Sequence, residues 1–421
     1  MKRFTLLYLA ALLLSFGLYF AGLCQDFYAK AEDGNSITKN YEAPAGFAEV
    51  VAGNTDFALL LYKKLKDDSA GNVFFSPYSI STALAMVYAG AQEQTQTQMA
   101  ETLNFTIVGE QLYPAFGALQ KQIIEKDTQG YQIYLANALW LQEGVPFLQE
   151  FLDRTAYFDA GRYQVDFFHE AENTQRQINA WIEEKTKGKI KNFIPAGGVN
   201  RETALAISNA LYFKGQWKTK FKWWKTRKSD FFVTVDHKIR IPLMHLKEKF
   251  NYCDQENLQA LELPYKGDEM SMLVLLPKDV NGLEDIENML TAEFLNTILS
   301  KMWKTKVSVY LPRFKMTWGT TSLKNTLAAL GMSDAFSPGK ADFSGINGQD
   351  GLYISDVFHK AFVEVNEEGT EAASGTFLTV AKSLSSELVF RADHPFLFLI
   401  RDNRSGSILF IGRLINPAEQ E

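Results

Sequence analysis

The chain has 421 residues, 46% of them hydrophobic and 22% charged, which supplies ample apolar material for a packed core and excludes a disordered polymer. Forty-three Lys and Arg against forty-nine Asp and Glu leave a net charge of −6, which argues against general attraction to nucleic acid or anionic lipid. Repeats and low-complexity blocks are absent, so one large domain is expected.

Lys2 and Arg3 precede an uncharged run from Phe4 to Gln25, with small Gly22 and Cys24 before a cut after Cys24. Residues 1–24 therefore read as a signal peptide. The run is also long enough to span a bilayer as an uncleaved anchor, and either way the domain lies outside the cytosol. Residues 25–45 are polar and aperiodic, a linker, and 46–421 form the folded domain. Once residues 1–24 are removed, Cys253 is the sole cysteine, so no disulfide holds the fold.

Phe57, Leu60, Leu61 and Leu65 stand at helical spacing behind Asn54 or Thr55 as cap. Val73 to Phe75 reads as a buried strand. Ser76-Pro77 then opens a small-residue helix that ends near Gly90. Helical periods continue over Thr95–Leu103 and Ala171–Thr186, while YQIYLANALWLQ, ALAISNALYFKGQW and MSMLVLLP read as strands. The last seventy residues alternate between apolar strands and turns. Helices first and strands late favour an α+β class over a doubly wound sheet.

Catalytic signatures are missing: G-x-S-x-G, H-E-x-x-H, G-x-G-x-x-G and the phosphate-binding P-loop do not occur. Histidines 169, 237, 245, 359 and 394 are too dispersed for local metal spacing, so neither metal nor cofactor is expected. A triad assembled from distant residues stays open.

The run VEVNEEGTEAASGT, Val363–Thr376, closely resembles the mobile hinge of the serpin family. NVFFSPYSISTALAMVYAGA, SNALYFKGQW and FRADHPFLFLIRDNRSGSILFIGRLINP extend the resemblance over Phe47–Pro417. It implies a serpin fold: a large central mixed β-sheet, surrounding helices and an exposed C-terminal reactive loop. By resemblance the loop is bait for a serine protease. The enzyme forms an acyl intermediate and is trapped in a covalent complex as the cut loop enters the central sheet, so this chain would be a monomeric, secreted inhibitor and not an enzyme.

The hinge also makes physical sense. A segment joining an existing sheet needs period-two side chains with an uncharged core-facing set. Thr370, Ala372, Ser374, Thr376, Leu378 and Val380 supply it, with Glu371 on the opposite face beside Ala373, Gly375, Phe377 and Thr379. No proline, which would remove a ladder donor, stands between Gly369 and Lys382. From the residues alone, a surface loop followed by an edge strand is the preferred reading.

Counting from Glu367, the family's register points to cleavage between Ser383 and Leu384, which suits elastase-like or subtilisin-like enzymes. Cleavage between Lys382 and Ser383 is the alternative, and there Lys382 would fill the acidic pocket of a trypsin-like protease. The resemblance further implies a latch of Ser76, Ser79, Asn209 and His359 where the sheet opens, and an ion pair of Glu367 and Arg313 above Trp217 where the loop joins it. Residue by residue, Ser76 could equally be a helix cap, His359 a satisfied core histidine, and the charges solvated surface.

Lys214, Lys218, Lys220, Lys222, Lys225, Arg227 and Lys228 read as a solvated strand edge. The segment Gln92–Leu103, where the resemblance would put a heparin-type site, has neither Lys nor Arg, so polyanion binding is not expected. Asn104 and Asn403 head glycosylation motifs that matter only in a glycosylating host. A non-inhibitory serpin acting as ligand carrier or chaperone is the rival function.

Overall fold

A helix opens the domain because Val50, Phe57, Leu61 and Leu65 recur on one face, and α1 (Phe47–Asp67) buries them against the core. In this computed structural model the described residues are 43–107, 109–124, 130–370 and 388–419, and the folded unit begins at Pro44. The helix starts ahead of the expected cap, after Gly46 at φ 84°. Asn54 is no cap but an interior residue, 6% exposed, whose Oδ1 accepts from Ser81 Oγ at 2.5 Å. The reason is local: Phe47 and Val50 extend the apolar stripe one turn pair earlier, and a left-handed glycine starts it without a side-chain cap.

After β1 (Val73–Phe75), Ser76 turns the chain into α2 (Pro77–Tyr88), accepting from the Ser79 N–H at 3.1 Å with proline at the first helical position. Most of α2 is buried, between β-strands of both sheets. Then follow α3 (Glu93–Thr102), α4 (Leu112–Ile124), β2 (Tyr131–Gln142), α5 (Gln149–Ala156) and β3 (Gly161–Val165). Next, α6 (Phe167–Lys185) begins four residues before the expected Ala171, capped by Asp166 and kinked at Glu170. The strand β4 (Leu205–Gln216) leads to β5 (Arg227–Phe232), β6 (Lys238–Asp254), β7 (Leu258–Pro264) and β8 (Met270–Pro277). Helices α7 (Leu283–Met289) and α8 (Ala292–Ser300) precede β9 (Trp303–Pro312), β10 (Phe314–Ser322), β11 (Phe358–Asn366), β12 (Gly369–Thr370), β13 (Leu388–Arg391), β14 (Phe396–Asp402) and β15 (Ile408–Leu414).

The central sheet runs β10-β11-β12-β4-β2-β3 and is mixed, with β3 parallel to β2. A second sheet runs β1-β15-β14-β8-β7-β6-β9-β13, with β5 on β6 and β13 parallel to β9. Helices lead and strands dominate late, the α+β order expected.

Beyond α6, residues 186–194 cross the outer face of the central sheet. Lys187 Nζ sits 5.5 Å from the ring centre of Tyr134, Lys189 Nζ 5.5 Å from that of Phe362, and Lys360 Nζ donates to the Lys191 carbonyl at 2.9 Å. Beneath them Tyr134, Tyr212 and Phe362 form a row across β2, β4 and β11, with centroids 5.7 and 6.5 Å apart.

Candidate functional site

The site lies between β4 and β11. The short β12 is antiparallel to both, through Thr370 opposite Val365 and opposite Gly215, so β4 and β11 run parallel to each other. Among the described residues only β12 joins them by a ladder, and it does so at the end where β11 stops. At the opposite end a cavity of about 160 Å³ opens between Ile207 and Asn209 of β4 and Phe358 and His359 of β11, floored by Ile80 and Leu84 of α2.

The turn from β11 to β12 is pinned by many bonds. Trp217 donates its backbone N–H to the Glu368 carbonyl and its indole Nε1–H to the Asn366 carbonyl, both at 2.9 Å, and the Phe221 N–H donates to the Glu367 carbonyl at 2.9 Å. Trp217 is 2% exposed and stacks on Tyr265 at 4.7 Å. Glu367 is buried, and its Oε1 accepts from Arg313 and from Thr226 Oγ1, the latter at 2.7 Å. Burial alone would raise the Glu367 carboxyl, but these hydrogen bonds outweigh it and hold it below the usual glutamate range. Gly369 has φ 146°, and a Cβ there would lie 2.0 Å from the Gly215 carbonyl oxygen, so no other residue fits without moving β4.

The latch is built at the N-terminus of α2. The Ser76 N–H donates to His359 Nε2 at 3.0 Å, and Ser76 Oγ donates to the Leu409 carbonyl of β15 at 2.7 Å. Ser79 Oγ donates to Asn209 Oδ1 of β4. Asn209 Nδ2 passes the chain to Asn137 Oδ1 of β2 at 2.6 Å, and Asn137 Nδ2 to Gln120 Oε1 of α4 at 2.9 Å. One helix terminus thus holds β11 through Ser76 and β4 through Ser79. Burial lowers the His359 imidazole to about 3, so it is neutral and accepts at Nε2.

Of the residues singled out in the sequence, Glu367, Arg313 and Trp217 meet at one end of the gap and Ser76, Ser79, Asn209 and His359 at the other. Ser76 is both cap and latch. Among the described residues the latch divides into two bonded pairs bridged by the cap, Ser76 with His359 and Ser79 with Asn209. Sequence reasoning missed Thr226, Phe221, Tyr265, Asn137 and Gln120, ordinary residue types that only the tertiary arrangement recruits. Gly369 and Thr370 are described; hinge residues Glu371, Ala372, Ala373, Ser374, Gly375 and Thr376, and Lys382, Ser383 and Leu384, lie outside the described residues, as do 1–42. In the basic run, Lys218 pairs with Asp268 and Lys220 with Glu368, while Arg227 and Lys228 lie on β5, which pairs only with β6 among the described residues.

The family model described as Serpin (serine protease inhibitor) matches residues 52–417. The chain is a serpin. It is 42% identical over 371 residues to the leukocyte elastase inhibitor of Xenopus tropicalis, covering 86% of this chain and 98% of that one. With the human leukocyte elastase inhibitor it shares 42% over 380 residues, 88% of this serpin and 100% of the relative. Among solved structures, uncleaved ovalbumin superposes with TM-score 0.78 at 33% identity, covering 88% of this chain and 100% of that one. A loop-inserted, cleaved ovalbumin mutant gives 0.80 at 32%, again covering 88% and 100%.

Proposed function

We propose that this serpin is an exported suicide-substrate inhibitor of serine proteases, trapping the acyl-enzyme as its cleaved bait fills the space between β4 and β11. The observation that carries this is register. Continuing the pairing of Thr370 with Val365 and Gly215 sets Ala372 between Val363 and Phe213, Ser374 between Ala361 and Leu211, and Thr376 between His359 and Asn209. All six of those partners are buried. On that continuation the neutral stripe read from the sequence would fall on the core face, with its fourth member at the latch.

Insertion would replace a parallel neighbour relation by two antiparallel ladders, each new hydrogen bond contributing about 1 kcal/mol net. The serpins named as elastase inhibitors support inhibition, and the uncharged run Phe4–Gln25 behind Lys2 and Arg3, outside the family match, supports export. Cleavage after Ser383 would select elastase-like or subtilisin-like proteases, and cleavage after Lys382 trypsin-like ones. Its covalent partner is that protease.

The test is incubation of the full chain with trypsin, pancreatic elastase and subtilisin. Complexes that survive denaturing electrophoresis, with mass spectrometry locating the cut at 382 or 383, are expected with at least one class. Turnover of the bait by all three without any stable complex overturns inhibition and favours a non-inhibitory role. A secreted product that begins near Gln25 is expected from a eukaryotic host; retention of the protein in the cytosol overturns export.

A further inference from the structure

The cavity of about 160 Å³ beside the latch passes through the plane of the central sheet. Leu84 and Val87 of α2 close it on the core side, and Ile194 and Val199, beyond α6, close it on the outer side. A cavity of about 150 Å³ with apolar walls takes up a molecule the size of one aromatic ring. A molecule held here would occupy the place that a strand laid between β4 and β11 has to cross.

The walls select by charge and by hydrogen bonding. Among the described residues Glu202 and Asp356 are the charged groups that line the cavity, with neither lysine nor arginine, so an anion would be repelled. Most polar side chains beside it are already used. Ser79 Oγ donates to Asn209 and Asn209 Nδ2 to Asn137, while Asp356 Oδ1 accepts from Ser322 Oγ and the Val357 N–H.

His359 differs. It lines the cavity at 3% exposure, and its Nε2 accepts from the Ser76 N–H. The proton of the neutral ring therefore stands on Nδ1, where no acceptor among the described residues takes it. A buried donor without a partner is costly, and an acceptor oxygen brought in by a ligand would recover that cost. An ammonium group brings no acceptor, and a carboxylate would meet Glu202 and Asp356.

We propose that this cavity binds a small neutral molecule with one apolar ring and one acceptor oxygen, such as an aromatic ketone, aldehyde or alcohol, and that the bound molecule opposes insertion of the bait. The oxygen takes the Nδ1–H of His359, and the ring lies between Leu84 and Ile207. The regulatory half rests on the inhibitory reading above. A ligand that binds only while the gap is unfilled stabilises that state and, by linkage, disfavours the filled one.

The test uses the full-length, uncleaved protein with acetophenone as probe and benzoate as its anionic counterpart. Ala83→Leu and Val87→Phe fill the cavity from two positions on α2, and whichever melts as wild type does is the control. Titration calorimetry is expected to show one saturable acetophenone site in wild type, binding weakened about tenfold or more in the filled variant, and none for benzoate. The carbonyl stretch of the bound probe should fall below its position in hexane, as that of a hydrogen-bonded ketone does. With a protease that the wild type traps, saturating acetophenone should raise the share of cleaved, uncomplexed serpin about threefold or more, and the filled variant should not respond.

Absence of saturable binding, or binding that survives the filling, overturns the site. An unshifted carbonyl band overturns the contact with His359 and with it the ligand class. Saturable binding with an unchanged share of complex overturns the regulation. If the wild type traps none of trypsin, pancreatic elastase and subtilisin, the inhibitory reading falls, and calorimetry decides the ligand site on its own.

Discussion

Ser76 gives its backbone N–H to Nε2 of His359, 3.0 Å away across 283 residues of sequence, so the start of α2 holds the beginning of β11 only while that imidazole is neutral. Burial keeps it so, at about 3. Below about 6.5 the unfolded chain takes up a proton that the folded state refuses. Stability is therefore complete above pH 6.5 and falls towards pH 3, by at most about 1.4 kcal/mol per pH unit from this group. Thermal unfolding between pH 4 and 7 should show the decline, with His359→Gln flattening it; an equal slope in the variant would remove His359 as its source.

Register makes two neighbouring substitutions behave oppositely. Ala372→Arg would bury an unpaired cation between Val363 and Phe213, whereas Glu371→Arg would place it on the outer face between Glu364 and Lys214. The first should turn inhibition into plain cleavage, and the second should keep more of the stable complex. Electrophoresis of protease mixtures reads both, and equal loss in the two variants would contradict the register.

Gly369→Val forces a side chain into the Gly215 carbonyl at a φ that valine rarely adopts. A loss of about 1–3 kcal/mol or more is expected, measured by denaturant unfolding. An unchanged midpoint would mean that β12 is not held against β4 in solution.

Arg313→Met strips the buried Glu367 carboxylate of one of its two side-chain donors while leaving Thr226. The expected cost is about 1–3 kcal/mol at neutral pH. Because the Glu367 pKa is depressed in the fold, its contribution is present above the ordinary glutamate value and disappears as pH falls through the folded value. The difference between wild type and variant should therefore shrink in acid, and a difference that persists there would assign the loss to packing.

Strands Met270–Pro277 and Tyr131–Gln142 were legible because apolar runs bounded by polar turns leave little choice. The start of α1 was not, since a left-handed glycine cap carries no side-chain signal and Asn54 imitates one. The latch was legible only through the family resemblance, which implied Ser76, Ser79, Asn209 and His359, while Asn137 and Gln120 acquire their role only when β2 and α4 fold against β4. No local pattern predicts such a relay. Thr226 is invisible for the same reason, being one of many threonines until Glu367 comes to it.

The crossing of residues 186–194 over the central sheet sets a ceiling. Continued from β12, Ala373 would pass between Tyr212 and Phe362 and Gly375 beside Lys360, beneath the segment that Lys187 and Lys189 tether. Headroom, not polarity, then governs which side chains the outward edge of an arriving strand can carry, and a methyl group and a hydrogen are the slimmest available.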